Sequence, residues 1–220
     1  MATAVSSVLV FGGSFDPVHC GHVALANRFC ELLQPQQLRI IPAGQPWQKS
    51  ALTATSEQRV SMLRLAFENW SLCQLVIDEQ EIVRAQQQQP SYTIETLRQL
   101  RAELGPDTCI HLAMGADQLH NLHTWREWEH LFSYANLCVA ARPGFSLDLS
   151  AGAVRDVWKQ RATSAERLRS LPCGGTLIEP DLDWDVSATQ LREGLMRHNP
   201  AIRSLVPVKV LDYLQQHTIY

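Results

Sequence analysis

No stretch of about 18 uncharged apolar residues occurs in the sequence, so the thickness of a bilayer core excludes a membrane-spanning helix. Neither sign of charge is in large surplus: 19 Lys and Arg face 22 Asp and Glu, a net charge of -3 at pH 7 with histidine neutral. That balance lacks the basic excess of a general nucleic-acid binder, and neither nucleic acid nor membrane is expected as a partner. There is no Cys-x-x-Cys pair; six cysteines stand scattered at positions 20, 30, 73, 109, 138 and 173. A chain of this length needs no disulfide staples, so reduced thiols and a cytoplasmic location are the reading. A basic leader is missing too, and residues 1–10 run straight into a glycine-rich turn, as in mature protein. Without an internal repeat or an interdomain linker, residues 1–220 are expected to form one domain, with 186–220 as its C-terminal helical part.

What is present is a 45% apolar composition, enough for a folded core, set out in alternating strand and helix patterns. Val8-Leu9-Val10-Phe11 reads as a strand buried on both faces, closed by Gly12-Gly13. Val23, Ala26, Phe29, Cys30 and Leu33 recur at helical spacing until Pro35, and residues 38–41 read as a second strand. The resulting strand, helix and strand have the size of a right-handed crossover, which predicts an open parallel sheet with helices on both faces, an α/β Rossmann-like fold. A helix from Ser56 carries Val60, Leu63 and Phe67, and strands are expected at 75–77, 110–114, 136–141 and 176–178. Gln86-Gln87-Gln88-Gln89-Pro90 reads as an exposed loop, Thr93 as the N-cap of a helix with Ile94, Leu97, Leu100 and Leu104 on its apolar face. Trp125, Trp128, Leu131 and Phe132 suggest one face of a further helix, and 150–170 a helical stretch. Ser187-Ala188-Thr189-Gln190 fits a capping box, and a last helix is headed by Pro207.

Chemistry concentrates in Gly12-Gly13-Ser14-Phe15-Asp16-Pro17-Val18-His19-Cys20-Gly21-His22, between the first strand and the first helix. In open α/β sheets this is where ligands bind, because unsatisfied N–H groups and the helix dipole attract phosphate. Two histidines one turn apart add donors for phosphate oxygens, and Gly21 permits close backbone approach. The segment is neither a Gly-x-Gly-x-x-Gly fingerprint nor a Walker loop. It does resemble the His-x-Gly-His signature of the nucleotidyltransferase superfamily. The late Val186-Ser187-Ala188-Thr189-Gln190-Leu191-Arg192 resembles that superfamily's second motif, with Val for Ile. Pro90-Ser91-Tyr92-Thr93, Gly115-Ala116-Asp117, Thr124-Trp125 and Arg142-Pro143 follow in order, and together they resemble bacterial nicotinate mononucleotide adenylyltransferases over nearly the whole chain.

The resemblance implies adenylyl transfer from ATP to nicotinate mononucleotide, giving deamido-NAD and pyrophosphate, with Mg2+ carried on ATP and no tightly bound organic cofactor. It implies His19, His22 and Arg192 as catalytic residues. Gly12, Gly13, Ser14, Phe15, Gly21, Lys49, Gly115, Asp117, Ser187 and Thr189 would join them around ATP. Ser14, Phe15, Lys49, Tyr92, Thr93, Asp117, Trp125 and Arg126 would meet the mononucleotide, with the charge of Arg126 favouring nicotinate over nicotinamide. Gln48 departs from the family's histidine. No oligomeric state is implied.

Plainer readings stand beside these. His19, His22 and Cys20 lack the second Cys/His pair of a zinc site, and His120 with His123 is only two residues at helical spacing. Ser187 and Thr189 would be explained by capping alone without the early motif. Trp125 is divided between core and ligand platform, and Trp128 is read as core. Glu179, Asp181, Asp183 and Asp185 read as a solvated edge, and Cys20 as a small neighbour of the phosphates. Nicotinamide mononucleotide as acceptor, and a nucleotide-binding regulator without catalysis, are the competing functions.

Overall fold

The computed structural model describes residues 6–44, 52–141, 152–180, 182 and 186–220. Within them β1 (Ser7–Gly13), β2 (Gln37–Pro42), β3 (Gln74–Ile77), β4 (Cys109–Gly115), β5 (Asn136–Ala140) and β6 (Thr176–Glu179) form one sheet. The order is β3-β2-β1-β4-β5-β6 and every pair is parallel. The chain therefore starts in the middle, winds outward to β3, returns beside β1 and winds the other way. This is the Rossmann-like α/β arrangement expected.

Strand alternation explains the continuous apolar run of β1. Leu9 and Phe11 point to one face, where α1 (Cys20–Leu33), α2 (Ser56–Ala66), α8 (Ala188–Met196) and α9 (Val208–Gln216) contribute Phe29, Leu63, Leu191 and Leu214. Val8 and Val10 point to the other, covered by Leu97 and Leu100 of α4 (Thr93–Leu104) and Trp158 of α6 (Gly152–Arg161). Each such side chain contributes roughly 1.5–3 kcal/mol on burial.

The crevice between β1 and β4 follows from register. Pairing of β1 with β4 ends at Phe11 and Ala113, while β1 pairs with β2 as far as Gly13 and β4 with β5 as far as Gly115. Past Phe11 the two central strands part company, at the point where the winding direction reverses.

Several local expectations are corrected. A seven-residue helix, α3 (Gln80–Gln86), ends on Gln86; with only Ile82 buried it carries too short a pattern to read, and the loop is confined to 87–90. Tyr92, not Thr93, is the cap residue of α4, and Thr93 is its first helical residue. The helix expected around the tryptophans is broken into α5 (Ala116–His120) and two 3-10 turns, Leu122–Thr124 and Trp128–Ser133. Glu127, at φ 52, interrupts the run; Leu131 and Phe132 are buried while Trp125 and Trp128 are half-buried. The 152–170 part of the expected helical stretch divides into α6 and α7 (Ala165–Leu168).

One buried titratable group makes the fold sensitive to pH. His111 of β4 is fully buried, and its Nδ1 takes a 3.3 Å bond from the Asn136 side-chain amide. Its Nε2 has no partner among the described residues. Burial pushes its pKa down to about 4 from 6.5, so the unfolded chain takes up the proton first as pH falls. The stability this neutral ring supports is present above pH 6.5 and is lost between 6.5 and 4, about 3 kcal/mol in all. Urea unfolding should show about 2 kcal/mol lost between pH 7 and pH 5 that is absent in His111→Leu; equal losses in both proteins would refute the assignment.

Candidate active site

A cleft of about 860 Å3 opens where β1 and β4 diverge, a size suited to a small-molecule substrate pair. Of the residues nominated from sequence, Gly12, Gly13, Ser14, His19, Gly21, His22, Thr93, Gly115, Asp117, Trp125, Ser187 and Thr189 line it. Lys49 lies outside the described residues, as do Gln48, Arg142, Pro143, Asp181, Asp183 and Asp185.

The two histidines occupy the start of α1, His19 as the extended cap residue and His22 as the third helical residue. The His19 backbone N–H donates to His22 Nδ1 at 3.1 Å. A neutral His22 therefore carries its hydrogen on Nε2, as a donor. The two rings stack at 3.6 Å, and the edge of Phe15 packs on His22 at 5.0 Å. No acidic residue occupies the first turn of α1, so the positive end of its dipole is not offset there. Phe15 itself is buried at φ 49, its ring lying under Gly13 and edge-on to Phe11. It supports His22 from the core and does not line the cleft.

The late motif comes in from the other side. Ser187 and Gln190 form the reciprocal capping box expected, the Gln190 N–H reaching Ser187 Oγ at 3.2 Å and the Ser187 N–H reaching Gln190 Oε1 at 3.1 Å. Val186 packs on the first turn of α1, and a Cβ on Gly21 would stand 2.9 Å from Val186 Cγ1. Gly21 is thus required for the two motifs to touch, in addition to its place in the cleft wall. Arg192 completes the junction: its Nη1 donates to the Asp16 carbonyl at 2.7 Å and its Nη2 to Thr189 Oγ1 at 3.3 Å.

At the opposite end stands the start of α4. The Arg126 guanidinium lies over the Tyr92 ring at 4.8 Å, outside the cleft wall, and Arg126 is exposed. Trp125 Nε1 is buried with no hydrogen-bond partner among the described residues. Such a donor in a cleft wall is available to a ligand. Asp117 accepts from its neighbour Gln118 at 2.6 Å.

Several residues in or beside the cleft wall went unassigned from sequence, His120 and Gln118 of the wall among them. Asp16, 2% exposed, accepts the Thr53 and Ala54 N–H groups, each at 3.0 Å, and the Tyr220 hydroxyl. Arg59, 1% exposed, donates to the Ser14 carbonyl at 2.9 Å. Its position in the apolar stripe of α2, one turn before Leu63, is the signal that it points inward. Glu81 of α3 lines the cleft, takes the Thr96 hydroxyl at 2.7 Å, and is raised in pKa chiefly by burial. Without α3 it had no sequence signal. Among the described residues no three His, Cys, Asp or Glu side chains converge, His123 is exposed, and Glu179 is paired with Arg28 at 2.7 Å.

Residues 10–194 match the family model described as cytidylyltransferase-like. A protein of Herminiimonas arsenicoxydans named "Probable nicotinate-nucleotide adenylyltransferase" is 45% identical over 100% of this chain and 99% of its own length. A protein of the same name from Dechloromonas aromatica (strain RCB) is 37% identical over 96% of each chain. The structure of Plasmodium falciparum nicotinic acid mononucleotide adenylyltransferase complexed with NaAD shares the fold, with a TM-score of 0.73 over 98% of this chain and 97% of that one at 17% identity. Sequence likeness of this extent, on a chain whose two motifs meet across one cleft, means that the protein belongs to the nicotinate-nucleotide adenylyltransferase family of cytidylyltransferase-like proteins.

Proposed function

We propose that this protein joins ATP and nicotinate mononucleotide into deamido-NAD with release of pyrophosphate, a step of NAD biosynthesis. The observation that carries the reading is the junction of the early and late motifs, where the Arg192 bond to Asp16 sets the α1 and α8 N-termini on one cleft. A polyphosphate laid across that junction meets donors from both sides. A phosphate oxygen of the mononucleotide attacks the α-phosphorus, the bond from that phosphorus to the bridging oxygen breaks, and pyrophosphate leaves with the electron pair. The nucleophile is already anionic near neutral pH, so positioning and charge stabilisation carry the catalysis.

In this reading the His22 Nε2–H and the α1 N-terminus stabilise charge growing on the α-phosphoryl oxygens, with His19 stacked behind. Ser187, Thr189 and Arg192 hold the β- and γ-phosphates beside the β1 tip, where the missing side chain of Gly13 makes room for the Phe15 ring. Tyr92, Thr93 and Trp125 form the acceptor end, with Asp117 and Gly115 between the two. Lys49 remains a proposed phosphate contact on sequence grounds. Magnesium would enter with ATP, drawing its ligands mainly from phosphate oxygens and water and shielding the charge of the leaving pyrophosphate. Ser14, Ser187 and Thr189 border the cleft, and no three His, Cys, Asp or Glu side chains converge among the described residues, which fits a metal held mainly by the nucleotide. We take residues 1–220 as one functional domain, since Leu191, Val210 and Leu214 share the core of β1 and α1. We place the protein in the cytoplasm; the described residues contain no helix long and apolar enough to cross a membrane.

The direct test offers purified protein ATP and magnesium with nicotinate mononucleotide or nicotinamide mononucleotide in separate reactions and resolves products by mass. Deamido-NAD and pyrophosphate in equal amounts are expected, with slower formation of NAD. ATP binding with no pyrophosphate from either acceptor would favour the regulator. His22→Ala and Arg192→Ala should each lower kcat roughly 10²–10³-fold while thermal unfolding changes little. Trp125→Phe should raise the KM for nicotinate mononucleotide about 10-fold, the scale of one hydrogen bond to a charged group, and leave the KM for ATP unchanged. Arg126→Ala should narrow the preference for nicotinate about 5-fold, and an unchanged ratio would remove Arg126 from acceptor selection.

A further inference from the structure

We infer that Tyr220 and Asp16 form a buried clamp behind the phosphate loop, and that Tyr220 sets the rate of turnover as a positioning residue without touching substrate. The inference rests on the adenylyl-transfer reading and extends it to residues outside the cleft wall.

Asp16 stands three residues before His19, between Phe15 at φ 49 and Pro17. Its carboxylate receives three donors, the N–H groups of Thr53 and Ala54 at 3.0 Å each and the hydroxyl of Tyr220. Its carbonyl receives Arg192 Nη1 at 2.7 Å. One residue thereby ties together four segments: the β1–α1 loop, the residues leading into α2, the α8 arginine and the residues that follow α9. Arg59 steadies the same loop two residues earlier through the Ser14 carbonyl at 2.9 Å. Neither Asp16 nor Tyr220 lines the cleft, so the phosphate loop has its ligand on one side and this polar cluster on the other.

The cluster matters for rate because the partner of Arg192 is the backbone of Asp16 itself. A shift of Asp16 displaces the carbonyl that Arg192 leans on and, three residues along, the His19 cap under His22. Misplacement by about 1 Å is enough to lose most of the advantage of an in-line arrangement. Of the three donors to the carboxylate, the two amides come from the segment entering α2, and only the phenol comes from the C-terminal part of the domain. Burial, aided by the carboxylate, holds the Tyr220 phenol above its ordinary pKa, so it remains a donor at working pH.

The test is Tyr220→Phe, which keeps the ring and removes the hydroxyl, read by steady-state kinetics and by hydrogen–deuterium exchange of peptides covering residues 12–22. A fall in kcat of roughly 10-fold is expected, the scale of one hydrogen bond to a charged group, with the KM for ATP and for nicotinate mononucleotide within about 2-fold. Exchange in 12–22 should quicken while exchange in α6 stays as in the parent. Asp16→Asn should lower kcat in the same direction, and adding Tyr220→Phe to it should cost little more, because both changes act on one bond. Unchanged kcat well below the melting temperature, or unchanged exchange in 12–22, would overturn the clamp and leave Tyr220 a purely structural residue. If the parent protein itself forms no dinucleotide, the adenylyl-transfer reading fails, and the clamp is then decided by the exchange measurement alone.

Discussion

The bond from Arg192 to the Asp16 carbonyl joins residues 176 positions apart, and it ties the start of α8 to the β1–α1 loop at the edge of the cleft. A nucleotide's phosphates need donors on more than one side, and a single helix N-terminus supplies one side only. The fold therefore has to bring a second helix start to the first. It does so at the one place where the central strands separate, with Val186 packed into the space a side chain on Gly21 would take and Arg192 reaching across to the loop. Every other feature of the site is arranged about that junction.

The described wall of the cleft carries no lysine or arginine. The chain as a whole is at -3, and the cleft wall offers histidines, helix N–H groups and hydroxyls, while Arg192 stands beside it, bonded to the Asp16 carbonyl and to Thr189. The buried guanidinium of Arg59 also stands outside the cleft wall, on a carbonyl and the Ser56 hydroxyl. Its charge sits beside Asp16, so the loop is stiffened from behind, and the carboxylates of the cleft wall itself are Glu81 and Asp117. Donors fixed by capping and stacking, as in the His19 and His22 pair, require little reorganisation when charge develops.

Much of this was legible in the sequence because it rests on short-range patterns. The buried run at Val8 to Phe11, the capping box at Ser187 and the helical spacing of Ile94, Leu97 and Leu100 each depend on residues a few positions apart. What escaped were features settled by distant partners or by elements too short to show a period. α3 buries only Ile82, so neither the helix nor the cleft-facing Glu81 could be seen. The left-handed Glu127 breaks a run whose apolar spacing looks helical. Asp16 was visible as part of a motif, but the partners that give it a task, Thr53, Ala54, Tyr220 and Arg192, are brought to it only by the tertiary fold.

The central claim is that both motifs grip one polyphosphate, and the most direct measurement is a structure of the protein bound to magnesium and a non-hydrolysable ATP analogue. The account predicts the α-phosphate within hydrogen-bond reach of His22 Nε2, and the β- and γ-phosphates on Ser187, Thr189 and Arg192. Phosphates lying on only one of the two helix starts, or outside the crevice between β1 and β4, would contradict it.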